Sequence, residues 1–114
     1  MIKTKEQLSI RAELNDAGKE KMTLADLAEF PGKNEKIRMF ARVELKPGEE
    51  VKYHIHTGEC EQYYILSGKG EYSDNGKIIE VEPGTITYTP SGEGHGIKNI
   101  GQEMLVFIAL IILD

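Results

Sequence analysis

The 114 residues include 14 basic and 19 acidic side chains, a formal net charge of −5, with 39% hydrophobic and 29% charged residues. That length suits one domain around one core, and the negative balance disfavours nucleic acid as a partner. Cys60 is the only cysteine, so no internal disulfide can form, and nothing calls for an oxidising compartment.

The N-terminal stretch MIKTKEQLSIRAE has no apolar core of signal-peptide length. The C-terminal apolar run, residues 104–113, is half of the ~20 needed to cross a bilayer and reads as a buried strand. No membrane partner is expected, and a cytoplasmic protein is the default.

Residues 1–35 differ from the rest and read as an N-terminal arm. The segment LSIRA suggests a short strand, NDAGKEK a polar turn, and MTLADLAEF a short helix capped by Thr23 and ended by Pro31-Gly32. The arm is expected to pack on the main domain, residues 36–114, or on a partner subunit.

From residue 37 the signals are all β. Apolar runs are short, and the turn markers KPGE, HTGE, LSGKG, SDNGK, VEPG and PSGEG recur at the spacing of sandwiches and barrels. Asn75-Gly76 is the clearest hairpin turn, because this pair adopts positive φ readily. Short antiparallel strands with no helix between them imply a closed barrel or a double-sheet roll.

IRMFARVEL alternates with period two: Met39, Ala41, Val43 and Leu45 share one face, and Arg38, Phe40, Arg42 and Glu44 the other. If the second face looks inward, an arginine there is a carboxylate clamp; if outward, both arginines are surface charges. The final run is apolar on both faces, which calls for a cover on each side. A second subunit, giving a homodimer, is the favoured outer cover, with the arm as the alternative.

His54 and His56 lie two apart in a predicted strand, so they project to one face about 6.6 Å apart along it. That suits two imidazoles converging on one ion. The TGE turn and the returning strand EQYYIL bring a carboxylate, Glu59 or Glu61, back beside them. His95, the third histidine, follows a Pro/Gly turn at a strand start, and only the fold can bring it near. Taken singly, each glutamate reads as solvated, and Cys60 as a small buried thiol.

The wider spacing adds to this. Gly48, His54, His56, Glu61 and Gly68 are separated by five, one, four and six residues; Gly84, Pro90, Gly92, His95 and Asn99 by five, one, two and three. In these two motifs, which span residues 48–99, the sequence resembles the cupin superfamily. The resemblance implies an all-β fold, the cupin double-stranded β-helix or jelly-roll barrel. It also implies a metal inside that barrel, with His54, His56, Glu61 and His95 as ligands. The family spacing leaves three or four residues between the second histidine and the acid, which selects Cys60, as a thiolate, or Glu61. Glu59 then falls in the turn.

Three imidazoles and one carboxylate suit a single divalent transition ion: Mn, Fe, Co, Ni or Zn. Tyr63 and Tyr88 adjoin the implied ligands and are candidate hydrogen-bond donors or general acids; the competing reading is aromatic packing. All three histidines belong to the motifs, so no base is left for a Ser-His-Asp system, and no glycine run opens a helix as a phosphate loop does. The expected function is a metal-dependent enzyme on a small polar or acidic metabolite, of isomerase, decarboxylase or dioxygenase type. The alternative is a non-catalytic cupin that binds or senses a metal or a small-molecule ligand.

Overall fold

Ten strands follow a single 3-10 turn at Lys5–Gln7 in the computed structural model, which describes residues 1–114. They are β1 (Ile10–Leu14), β2 (Glu20–Asp26), β3 (Ile37–Leu45), β4 (Glu50–Ile55), β5 (Glu59–Ser67), β6 (Gly70–Asp74), β7 (Lys77–Val81), β8 (Ile86–Thr89), β9 (Gly94–Asn99) and β10 (Leu105–Leu113). One sheet has six strands in the order β1-β2-β3-β10-β5-β8; the other has four, β4-β9-β6-β7. Between β3 and β10 the chain changes sheet at every connection except the β6–β7 hairpin. That alternation is the jelly-roll path of a double-stranded β-helix.

Period-two patterning decides which way each strand faces. On β3 Ala41, Val43 and Leu45 are buried and Arg42 is exposed, so the apolar set looks inward and Arg42 outward; Arg38, at an irregularity near the start of the strand, is exposed at the mouth of the cavity between the sheets and meets Glu59 there. On β5 Glu61, Tyr63 and Ile65 are buried and Gln62, Tyr64 and Leu66 exposed. The inner face of β10, with Leu105, Phe107 and Ala109, packs into the same core as Ile65 and Ile97. The β6–β7 hairpin turns on Asn75 and Gly76, both at positive φ as the sequence requires.

The expected helix in MTLADLAEF is not formed; the stretch from Met22 to Asp26 lies in strand β2. It also carries a period-two signal, since Met22 and Leu24 are buried and Lys21 and Thr23 are not. The free edge of β3 decides between the two periods. Leu24 pairs with Val43 and Thr23 with Glu44, so the strand satisfies its backbone groups on β3 and adds Met22 and Leu24 to the core. The polar NDAGKEK segment closes the β1–β2 hairpin, where the Asn15 carboxamide accepts from the Ala17 and Lys19 amides.

Strand β10 lies at the middle of the large sheet, between β3 and β5. The arm extends that sheet alongside β3 rather than crossing over β10. The alternative cover for the outer face of β10 is therefore not supplied by the two arm strands.

Candidate metal centre

The antiparallel pairing of β4 with β9 sets His54 directly opposite His95. The chain separation of these two residues is closed by ladder register alone. Past the end of β4, the His56 amide donates to the Glu93 carbonyl and the His56 carbonyl accepts from Gly92, which continues the same pairing. Glu61 comes from the facing sheet, on the inward side of β5. His56, Glu61 and His95 are buried, and His54 is half-buried at the open end.

Four ligand atoms converge. His56 Nε2 lies 3.1 Å from His54 Nε2, 3.0 Å from His95 Nε2 and 2.9 Å from Glu61 Oε1. His95 Nε2 is 2.8 Å from the same carboxylate oxygen. All four atoms lie within 4.8 Å of one another. Donor atoms held about 2.1 Å from one ion at right angles are about 3.0 Å apart, so the observed edges match.

The other ring nitrogens explain why the three imidazoles point inward. His54 Nδ1 donates to the Lys52 carbonyl (2.7 Å) and His56 Nδ1 to the Glu59 carboxylate (2.7 Å). His95 Nδ1 meets the Tyr72 hydroxyl at 2.8 Å, which is itself 3.1 Å from Thr89 Oγ1. With Nδ1 of His54 and His56 carrying the proton, their Nε2 atoms present lone pairs, and a Tyr72 hydroxyl that accepts from His95 Nδ1 leaves the third Nε2 in the same state. Three lone pairs and a carboxylate within contact of one another repel unless a cation lies between them. Burial also holds His54 below its ordinary pKa, against the opposing pull of its bond to Lys52, which favours the neutral ligand form. The four residues are thus compatible with a metal ion.

Tyr63 lies against the cluster, its ring centroid 5.0 Å from that of His95 and 4.4 Å from that of Phe107. Burial, with the Glu61 charge behind it, pushes its phenol well above the usual value, so it stays protonated and keeps a proton to donate in a hydrogen bond. Tyr88 is not brought to the cluster. It pairs with Gln62 on the outer side of the large sheet and is 56% exposed, beside Cys60. Cys60 shares that outer side and is not among the converging residues.

Glu59 is not the turn residue expected but the first residue of β5, with the same facing as Glu61. Its role as the acceptor for His56 was open to detection, because a ring nitrogen turned away from a metal needs a partner. Tyr72 was missed too; its signal was its place on the inward face of β6, opposite Ile97. Asn99, the last motif position, works structurally. Its side-chain amide donates to the Leu45 and Glu103 carbonyls and ties β9 to the turn before β10.

A cavity of about 900 Å³ opens on the cluster. Its inner wall includes Glu61, Tyr63 and Phe107, and its outer rim includes Leu14 and Lys21 of the arm and Tyr53 of β4. An ion at the cluster would therefore face a space that a small molecule can enter.

Known proteins resemble this chain in sequence and in fold. The family model described as a cupin domain matches residues 41–111. An oxalate-binding protein of Thermotoga maritima is 45% identical over 96 residues, covering 84% of this chain and 79% of that protein. A glucose-6-phosphate isomerase of Thermococcus onnurineus is 33% identical over 88 residues, and the match spans 66% of this chain but only 47% of the isomerase. Among solved structures, a predicted oxalate decarboxylase of Thermotoga maritima superposes with a TM-score of 0.89 at 39% identity, covering all of both chains. A jelly roll with two motif-bearing strands in register, matched over most of its length by the family model, leaves one assignment: the chain belongs to the cupin family.

Proposed function

We propose that His54, His56, Glu61 and His95 bind one divalent transition-metal ion, and that the ion and the cavity beside it hold a small carboxylate of the oxalate class. The observation that carries this reading is the convergence of three Nε2 atoms and one carboxylate oxygen at cis-ligand spacing, facing an open cavity. The resemblance to the oxalate-binding protein supports the choice of ligand. When bound, a divalent ion paired with one glutamate supplies a net charge of about +1 and open positions that favour a chelating anion. The protonated Tyr63 phenol is a donor for a ligand oxygen, and Met39, Phe107 and Ile111 give the inner cavity apolar walls. Titrating Mn(II)-loaded protein with oxalate is expected to show saturable binding at one site per chain. Absence of oxalate binding to protein shown to carry metal overturns the ligand assignment.

A second reading is catalysis at the same centre, of decarboxylase, dioxygenase or isomerase type. Tyr63 favours it by position, since its ring centroid lies 5.0 Å from that of His95 and its phenol can hydrogen-bond an oxygen that gains charge there. Release of CO₂ or formate from oxalate, or interconversion of glucose and fructose 6-phosphates, separates this reading from binding alone.

The protein is also proposed to act as a homodimer through the outer face of the large sheet. On β8 the usual facing is inverted: Thr87 and Thr89 look inward, while Ile86 (66% exposed) and Tyr88 look out. The register sets Ile108, Tyr64 and Ile86 in one lateral row across β10, β5 and β8, and Leu110, Gln62 and Tyr88 in the next. A contiguous apolar face of this kind marks an interaction site. The copy's own equivalent face is the matching surface, since a two-fold contact pairs a patch with itself. Light scattering on the purified protein is expected to give twice the chain mass, and Ile86→Glu to return it to one; a monomeric wild type defeats the proposal.

A further inference from the structure

Strand β3 carries an irregularity beside the cluster. Ile111 of β10 faces Met39, but the next residue, Ile112, faces Ile37, so Arg38 is left over as a bulge residue. Bulges re-aim a side chain relative to its neighbours. Strict alternation would put Arg38 on the outer face with Arg42, but at the bulge it lines the cavity instead, and the two arginines have different partners. Arg42 pairs with Glu44 on its own strand, away from the cluster. Arg38 reaches across to β5 and grips both oxygens of Glu59, with Nε 2.7 Å from Oε1 and Nη2 2.8 Å from Oε2. The Glu59 side chain is only 13% exposed, and its Oε2 also accepts from His56 Nδ1 at 2.7 Å.

We propose that Arg38 and Glu59 form a positioning pair for His56, in which Glu59 fixes the ring and its tautomer and Arg38 fixes Glu59. The proposal rests on the reading of the cluster as a metal centre and extends it to a residue outside both motifs. An ionised carboxylate only accepts, so it requires the proton on Nδ1 and leaves the Nε2 lone pair free to face the cluster. A carboxylate held at one oxygen can rotate; the planar two-point guanidinium contact removes that freedom. Three segments are locked together in this way: the bulge in β3, the first residue of β5 and the residue after β4. Neither arginine nor glutamate touches the ion in this arrangement; both act through His56.

The test is a Co(II) titration of the full chain, following the visible ligand-field bands and the dissociation constant. Changing the partner of a ligating histidine typically costs 10–100-fold in metal affinity, and Glu59→Ala is expected to lose about that much and to shift the bands. Arg38→Ala is expected to lose about 10-fold, within the same range, and Arg38→Lys to recover part of it through a single contact. The double variant Arg38→Ala/Glu59→Ala is expected to be no weaker than Glu59→Ala alone, because the side-chain bonds of Arg38 go to Glu59 and not to a ligand. Arg42→Ala is the control and is expected to leave affinity and spectrum unchanged. Circular dichroism of each metal-free variant separates a lost fold from a lost position. Unchanged Co(II) affinity in Arg38→Ala, or losses that simply add in the double variant, overturns the pairing while leaving the metal centre intact. A wild type that binds no Co(II) overturns the metal reading itself.

Discussion

Replacing His54 and His95 together by Ala is expected to take the divalent metal content from close to one ion per chain to none detectable. Elemental analysis of protein purified without chelator is the measurement. The pair removes two of three imidazoles, one from each of the paired strands β4 and β9, and leaves His56 and Glu61. Two donors do not make up the three or four protein ligands on which bound transition ions depend. Thermal unfolding gives an independent readout. Metal at a hundred times its dissociation constant adds about 2.7 kcal/mol to the native state, which corresponds to roughly 10 °C or more in a domain of this size. Wild type is expected to show that shift on adding metal, and the double variant none. Each protein is compared with its own metal-free form, so any packing loss from removing the fully buried His95 ring does not enter the comparison. Full metal retention by the variant sinks the assignment of the site.

The ligand candidates and the barrel were legible because each leaves a trace at fixed spacing. A jelly roll is a run of period-two strands between glycine turns. The motif positions fall where those strands must bring side chains inward, and the His54–His95 pairing is one rung of such a ladder. What was not legible depends on choices among elements. MTLADLAEF carries both a helical and a strand period, and only the free edge of β3 decides for the strand. Tyr63 and Tyr88 looked equivalent as neighbours of the motifs. Facing separates them, because β8 turns its threonines inward and its tyrosine out, against the rule that apolar groups go inside. That inversion makes sense if the outer face is itself covered. Arg38 as a possible carboxylate clamp and Glu59 as a candidate acid were both read from the sequence, but their pairing was not, for a related reason. The spacing pattern names the groups that converge, whereas the pair that orients His56 depends on a one-residue bulge that no local pattern announces.

Gly68→Ala is expected to destabilise the fold by about 3 kcal/mol or more, the sum of left-handed backbone strain and overpacking at a close contact. Sequence spacing treats Gly48, Gly68, Gly84 and Gly92 alike, as turn glycines. All four have positive φ, between 85° and 93°, so each carries a strain penalty for any other residue. At Gly48, Gly84 and Gly92 an added Cβ meets nothing within 4 Å, and the strain of about 1–2 kcal/mol is the whole cost. At Gly68 the same atom would lie 2.5 Å from the Met104 carbonyl oxygen and 2.8 Å from Leu105 Cα. Both are backbone atoms at the start of β10, where Leu105 is fully buried, so neither can swing aside as a side-chain tip would. The β5–β6 turn must therefore lift away from β10 or β10 must shift in its register with β5. Urea unfolding of Gly48→Ala, Gly68→Ala and Gly84→Ala, compared at constant m-value, gives the ranking. The Gly68 variant is expected to have by far the lowest midpoint, with the other two close together. Equal losses at all three positions mean that the turn conformation alone sets the need for glycine, and that the contact between the β5–β6 turn and β10 is looser than the structure places it.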